Sequence, residues 1–317
     1  MARNVRITTV SFPGAGSAGS PAERVEANRV AAEALVERAM LDRPDLVALP
    51  EVFPLLGLPA SAWGELAEPI PGPTTERFAA LARRHRCHVV VPLVERRGDR
   101  LYNAAALLDR RGEVAGVYHK IFPTIGEIET GIVPGTESTA IETDLGRVAF
   151  AICFDLNFAE VRESVRQARP DLVVFPSMYR GGLKAQFWAI DLGVYFVSAI
   201  TGPHSAIIHP TGRLLALTEA YQPIVSRVVN LDYIVAHIDY NHAKWPAIKE
   251  RYGAAADLDI ASPEGRFVLT STADGVTARE IAAEFEIELL EEYWARARRT
   301  RERALRGDYP APATTAR

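Results

Sequence analysis

Ten short apolar runs rich in Val, Ile and Ala constrain the fold of this chain more than any other feature. They are Val5–Val10, Leu46–Pro50, His88–Leu93, Asn103–Leu108, Val114–His119, Val148–Cys153, Leu172–Pro176, Phe196–Ile200, Ser205–His209 and Ile224–Asn230. Runs of this length and composition read as strands, and strands this apolar need cover on both faces. Helical patterns separate some of them, at Ala22–Leu41, Thr74–His85, Ala159–Ala168 and Lys184–Leu192. Others follow one another through tight turns such as Arg97-Gly98-Asp99 and Arg111-Gly112. This mixture of βα units and hairpins predicts an α/β protein with two β-sheets covered by helices. Ser20 as N-cap, Pro21 at the first helical position and Glu23 closing a capping box mark where the first helix starts.

With 317 residues, 48% of them hydrophobic, the chain can fill a large core. The expected organisation is one domain over 1–306 with a helical extension from about 240, followed by a disordered tail over 307–317. A late helix is predicted from Ala278 to Ala304, where Ile281, Phe285, Leu289 and Tyr293 share a face. Its end carries Arg296, Arg298, Arg299, Arg301, Arg303 and Arg306, which suit a solvated helix C-terminus. A formal net charge of -4 argues against nucleic acid or a membrane surface as partner and favours a small molecule. Two cysteines, Cys87 and Cys153, and a start without a sustained apolar segment argue for the cytoplasm over export. The uncharged stretch from Leu192 to Gly212 is broken by Gly202-Pro203 and contains His204 and His209, so it does not read as a membrane span.

Gly14-Ala15-Gly16-Ser17-Ala18-Gly19 spells a dinucleotide-binding GxGxxG between a strand and a helix. The acidic residue that should follow about 20 residues later is missing, because the next strand ends only at Glu51. The segment therefore reads as a glycine-rich connection, and no cofactor is expected.

Three strands run directly into a polar residue: Leu46–Pro50 into Glu51, Val114–His119 into Lys120, and Val148–Ile152 into Cys153. Strand ends are where side chains converge on a cleft in layered α/β proteins. A thiol there can be activated in two ways. A neighbouring ammonium or helix N-terminus can stabilise its thiolate, or a buried carboxylate can take its proton during attack. Taken singly, a cysteine at a strand end is usually buried structure and a Glu–Lys pair a surface salt bridge.

The flanking residues decide between these readings. Leu49-Pro50-Glu51-Val52-Phe53, then His119-Lys120-Ile121-Phe122-Pro123-Thr124 with Glu127, then Ile152-Cys153-Phe154-Asp155-Leu156-Asn157-Phe158, resemble in order and spacing the Glu, Lys and Cys motifs of the nitrilase superfamily. The resemblance runs from the first strand to Asn230-Leu231-Asp232, taking in Asn103 and Asp171 to Ser177. It implies a four-layer αββα sandwich, commonly paired into a homodimer, and thioester chemistry without metal or organic cofactor. It also implies Cys153 as nucleophile, Glu51 as general base and acid, and Lys120 with the Phe154 N–H as oxyanion donors. Glu127 would orient substrate or Lys120. An aromatic residue and Asp after the cysteine is similar to the amide- and carbamoyl-cleaving branches, whereas nitrile-cleaving members carry Trp-Glu there; a nitrilase, or a non-catalytic scaffold of the same fold, is the alternative. Met178-Tyr179-Arg180-Gly181-Gly182 and Ala189-Ile190-Asp191-Leu192 depart from the family pattern. Met178, Tyr179 and Arg180 are therefore the pocket candidates, Arg180 as a carboxylate clamp.

Overall fold

The computed structural model describes residues 2–16 and 18–309. Among these, 5–229 form one compact unit, and 2–4 with 230–309 form another. The larger unit holds two six-stranded sheets. The first runs Ile224–Asn230, Asn4–Val10, Leu46–Ala48, His88–Arg97, Arg100–Leu108, Val114–His119. The second runs Leu214–Leu217, Ala206–Ile208, Tyr195–Ile200, Leu172–Ser177, Gly146–Phe150, Ile141–Thr143. Each has three parallel strands at its centre and antiparallel neighbours beyond them. All ten expected strands are present. The two further ones, Ile141–Thr143 and Leu214–Leu217, are edge strands too short and too exposed to stand out as apolar runs.

Alternation along the strands builds the layers. Val47, Val89, Val91 and Leu93 pack on Val36 and Ala39 of helix Pro21–Ala39 and on Phe78, Leu81 and Ala82 of helix Pro73–His85. In the second sheet, Ala149, Val173, Phe175 and Phe196 meet Val161 and Val165 of helix Ala159–Ala168 and Trp188 and Ala189 of helix Leu183–Leu192. Residues of the opposite parity, among them Ala48, Val90, Phe150, Val174 and Val197, are also buried and turn toward the other sheet. The sheets are stitched by hydroxyls: Thr9 Oγ1 donates to the Ser198 carbonyl at 2.7 Å, and Ser11 Oγ lies 2.8 Å from Ser205 Oγ and 2.6 Å from Thr218 Oγ1. The result is the αββα sandwich. The uncharged Leu192–Gly212 stretch supplies two of its strands, and no described helix is long and apolar enough to cross a membrane.

The capping box of the first helix forms as read, with Ser20 Oγ accepting from the Glu23 N–H and Glu23 Oε2 from the Ser20 N–H. Eight residues on, fully buried Asn28 ties two connections together. Its Oδ1 accepts from the Ala15 N–H at 2.7 Å, and its Nδ2 donates to the carbonyls of Pro54 and Leu56 at 3.0 Å each. The glycine-rich segment is thereby fastened to the chain that follows Glu51.

The second unit differs from the expected helical extension. It contains a three-stranded antiparallel sheet, ordered Tyr233–His237, Arg266–Ser271, Ala256–Ala261. Tyr233–His237 alternates buried with partly exposed residues, and Ala256–Ala261 is mostly exposed or half-buried and carries Asp257 and Asp259, so no continuous apolar run marks either. The single late helix is two, Ala278–Glu284 and Leu290–Leu305. Glu286 takes a left-handed φ of 52°, and the Ile287 N–H reaches back to the Ala282 carbonyl, which closes the first helix and buries Ile287 beside Ile281 and Ala282. Arg296 at the second helix pairs with Glu288, and Arg303 with Asp308. Of the expected tail, 310–317 lie outside the described residues.

Asn28→Ala strips partners from one part-buried N–H and two buried carbonyls. It is expected to lower stability by about 3 kcal/mol, read as a shift in the midpoint of denaturant unfolding.

Candidate active site

Glu51, Lys120 and Cys153 each sit just past a strand of the sandwich. Glu51 follows Leu46–Ala48 and opens a tight turn in which Val52 has a φ of 41°. Lys120 follows Val114–His119 directly, and its N–H donates to the Asn103 carbonyl at 2.9 Å. Cys153 lies three residues past Gly146–Phe150, with a φ of 49°, and starts a 3-10 turn over Cys153–Asn157. A left-handed backbone at a non-glycine residue costs of order 1 kcal/mol or more, so the surroundings must hold it.

The three segments meet. Lys120 Nζ lies 2.7 Å from Glu51 Oε1 and 2.8 Å from Glu127 Oε2. Asn103 Nδ2 donates to both carboxylates, at 2.8 Å to Glu51 Oε1 and 2.6 Å to Glu127 Oε1. The Met178 N–H reaches Glu51 Oε2 at 2.9 Å, and the Thr124 N–H reaches Glu127 Oε2 at 2.7 Å. Glu51 and Lys120 are each 1% exposed and Glu127 5%. The Cys153 thiol interacts with the Glu51 carboxylate, with Lys120 and with the Met178 N–H.

Burial opposes the charge on Lys120, yet Glu51, then Cys153 and Glu127, hold its ammonium above the usual lysine range. Burial likewise works against the Glu127 carboxylate, and it is outweighed by Lys120, the Thr124 N–H and Asn103, which keep the acid below its ordinary value. The thiol goes the other way. Burial and then the Glu51 carboxylate push Cys153 up to about 12, more than Lys120 offsets. Burial and the Glu51 carboxylate thus favour a protonated thiol over a resting thiolate. Cys87, buried in the first sheet's core, is also pushed to about 12, by burial first.

Of the other expected residues, Glu127 joins the centre through Lys120. The Phe154 N–H has no acceptor among the described residues. Met178 reaches the site through its backbone, with its side chain 47% exposed. Tyr179 lies close enough for its phenol to respond to Cys153, and it bonds with Asn157; burial first and then Cys153 push it up to about 12. Arg180 is exposed, and no described carboxylate pairs with it.

Two residues escaped assignment from sequence. In the sequence Asn103 carries no role beyond its place in the motif; the signal there is an amide directly before the apolar run 104–108, and the structure buries it fully. Asp155, seen as a branch marker, is fully buried and accepts three hydrogen bonds.

An αββα sandwich with a thiol, an ammonium and two carboxylates gathered at its strand ends is the arrangement of a nitrilase-superfamily hydrolase. Residues 14–238 match the family model "Carbon-nitrogen hydrolase", and the chain belongs to that family. Omega-amidase NIT2 of Xenopus tropicalis is 26% identical to it over 68% of this chain and 86% of its own, and that of Homo sapiens 26% over 62% and 80%. Among solved structures, Saccharomyces cerevisiae Nit3, a member of branch 10 of the nitrilase superfamily, is similar with a TM-score of 0.62 and 21% identity, covering 72% of this chain and 90% of that one. An amidase from Nesterenkonia sp. is similar with a TM-score of 0.61 and 18% identity, covering 78% and 96%.

Glu51→Gln removes the carboxylate that, after burial, pushes the thiol up. Alkylation of Cys153 by iodoacetamide at pH 8 is expected to quicken about tenfold, as for a shift of one pKa unit, while Cys87 stays unmodified; peptide mass spectrometry reads both sites.

Proposed function

We propose that this carbon–nitrogen hydrolase cleaves small amides or N-carbamoyl compounds through a thioester on Cys153. The observation that carries this reading is the buried Lys120 ammonium, held between Glu51 and Glu127 beside a protonated thiol. Glu51 takes the Cys153 proton as sulfur attacks the carbonyl carbon, and the negative charge gathers on the carbonyl oxygen. Two of the three Lys120 N–H bonds are committed to carboxylates, which leaves the third for that oxygen together with the Phe154 N–H. Glu51 returns the proton to the leaving nitrogen, and ammonia or an amine departs. A water, deprotonated by Glu51, then attacks the thioester; the acid leaves and the thiol regains its proton. Glu127 and Asn103 hold Glu51 and Lys120 in place and need not exchange protons.

The relatives named omega-amidases, together with Phe154-Asp155 after the cysteine, support an amide over a nitrile. The test is ammonia release from a panel of amides, ureido acids and nitriles. Turnover of amides or ureido acids, falling to background in Cys153→Ala, is the expected result. Equal release by the variant would refute the mechanism.

Arg180 is the cation this reading assigns to a substrate carboxylate, since no described carboxylate pairs with it and it lies just past the strand Leu172–Ser177, near Met178. Arg180→Ala is expected to raise KM for carboxylate-bearing amides about tenfold, the worth of one charge-assisted hydrogen bond, with kcat and the KM of neutral amides little changed. Steady-state kinetics on a matched pair of substrates checks this.

A further inference from the structure

Asp155 belongs to the same short turn as Cys153, and its carboxylate sits in a pocket of donors. Its Oδ2 accepts from the Ile152 N–H and from the Tyr118 hydroxyl, at 2.8 Å each, and its Oδ1 accepts from the Phe122 N–H at 2.8 Å. Its own N–H donates to the Ile152 carbonyl at 3.0 Å. Ile152 immediately precedes the left-handed Cys153, and Tyr118 and Phe122 flank Lys120 two residues to either side. One carboxylate thus grips both the turn that carries the sulfur and the segment that carries the ammonium.

We propose that Asp155 is a positioning residue: by accepting from Ile152, Tyr118 and Phe122 at once, its carboxylate holds Cys153 in its strained conformation and registers it against Lys120. The roles given to Cys153 and Lys120 rest on the function proposed above. Chemistry explains why an acid occupies this place. Three donors converge on two oxygens, so both must be free to accept. An amide of the same shape offers one oxygen and sets an NH2 group against at least one backbone N–H. The left-handed φ at Cys153 has no glycine to relieve it, and a bond to the preceding N–H opposes relaxation of the turn.

The titratable and charged groups facing Asp155 are Tyr118, Lys120 and Tyr179. Burial raises the acid to about 6, against the opposing effects of the Ile152 and Phe122 N–H groups, the Tyr118 hydroxyl and Lys120. Its folded value lies above its ordinary one. The fold therefore favours the protonated form, and that contribution to stability is full below about 4 and lost as pH rises through about 6. Ionised Asp155 is retained at neutral pH at the expense of stability, as expected of a group that serves the site.

Two variants and two measurements test the proposal. Tyr118→Phe keeps the buried ring and removes one donor. It is expected to lower kcat about fivefold with KM within twofold, and to move the acidic limb of the kcat–pH profile upward, since the acid loses a partner of its charged form. Asp155→Asn is expected to lower kcat at least a hundredfold. In both, iodoacetamide alkylation of Cys153 at pH 8 is expected to rise at least threefold as the thiol leaves Glu51, with Cys87 still protected as the sign that the core is intact. A folded Asp155→Asn variant with kcat within threefold of the parent overturns the proposal. If that variant does not fold, Tyr118→Phe decides alone: an unmoved acidic limb with an unchanged alkylation rate overturns it. Alkylation needs no substrate, so a parent protein that releases no ammonia while Tyr118→Phe still alkylates faster refutes the functional reading and leaves the positioning role standing.

Discussion

The structure depends on removing three charges from water at one point and leaving none of them short of partners. An isolated buried carboxylate or ammonium costs several kcal/mol even after relaxation, so Glu51, Lys120 and Glu127 are tolerable only as a set. Lys120 bridges the two acids, Asn103 donates to both, and the N–H groups of Met178 and Thr124 cover the remaining oxygen of Glu51 and the shared oxygen of Glu127. All four carboxylate oxygens are occupied. Each partner comes from a different strand end or loop, so the network forms only when both sheets are in place.

That network also accounts for the state of the thiol. Two carboxylates and one ammonium sum to one negative charge in a buried volume beside Cys153, and a thiolate there would add a second. The sulfur is thereby pushed toward its protonated form, with the Glu51 carboxylate beside it. A lysine next to a cysteine is commonly read as a thiolate stabiliser. Here its positive charge is already shared between two acids. Cys153 adopts a left-handed φ, and the Asp155 carboxylate accepts from the N–H of the residue before it.

Much of the sandwich was legible in the chain, because strands covered on both faces must be apolar at every position. Runs such as Val89-Val90-Val91 and Val173-Val174-Phe175 declare themselves without alternation. The C-terminal sheet was not legible for the converse reason: its outer strands are partly exposed, and one of them carries Asp257 and Asp259. The break at Phe285–Leu289 was hidden because an unbroken helical period continues through it. Only the burial of Ile287 against Ile281 and Ala282 shows why the chain turns there.

At the site, the sequence by itself determined which side chains could do chemistry, since Glu51, Lys120, Cys153 and Glu127 stand in recognisable motifs at strand ends. Tertiary structure decided how those groups are charged and aimed. The proton on Cys153, the double grip of Asn103 and the donors that Tyr118 and Phe122 bring to Asp155 are set by distances between segments far apart in the chain and by the water excluded from among them. Electrostatic interaction varies with separation and local polarity, and neither quantity exists until the two sheets close on each other.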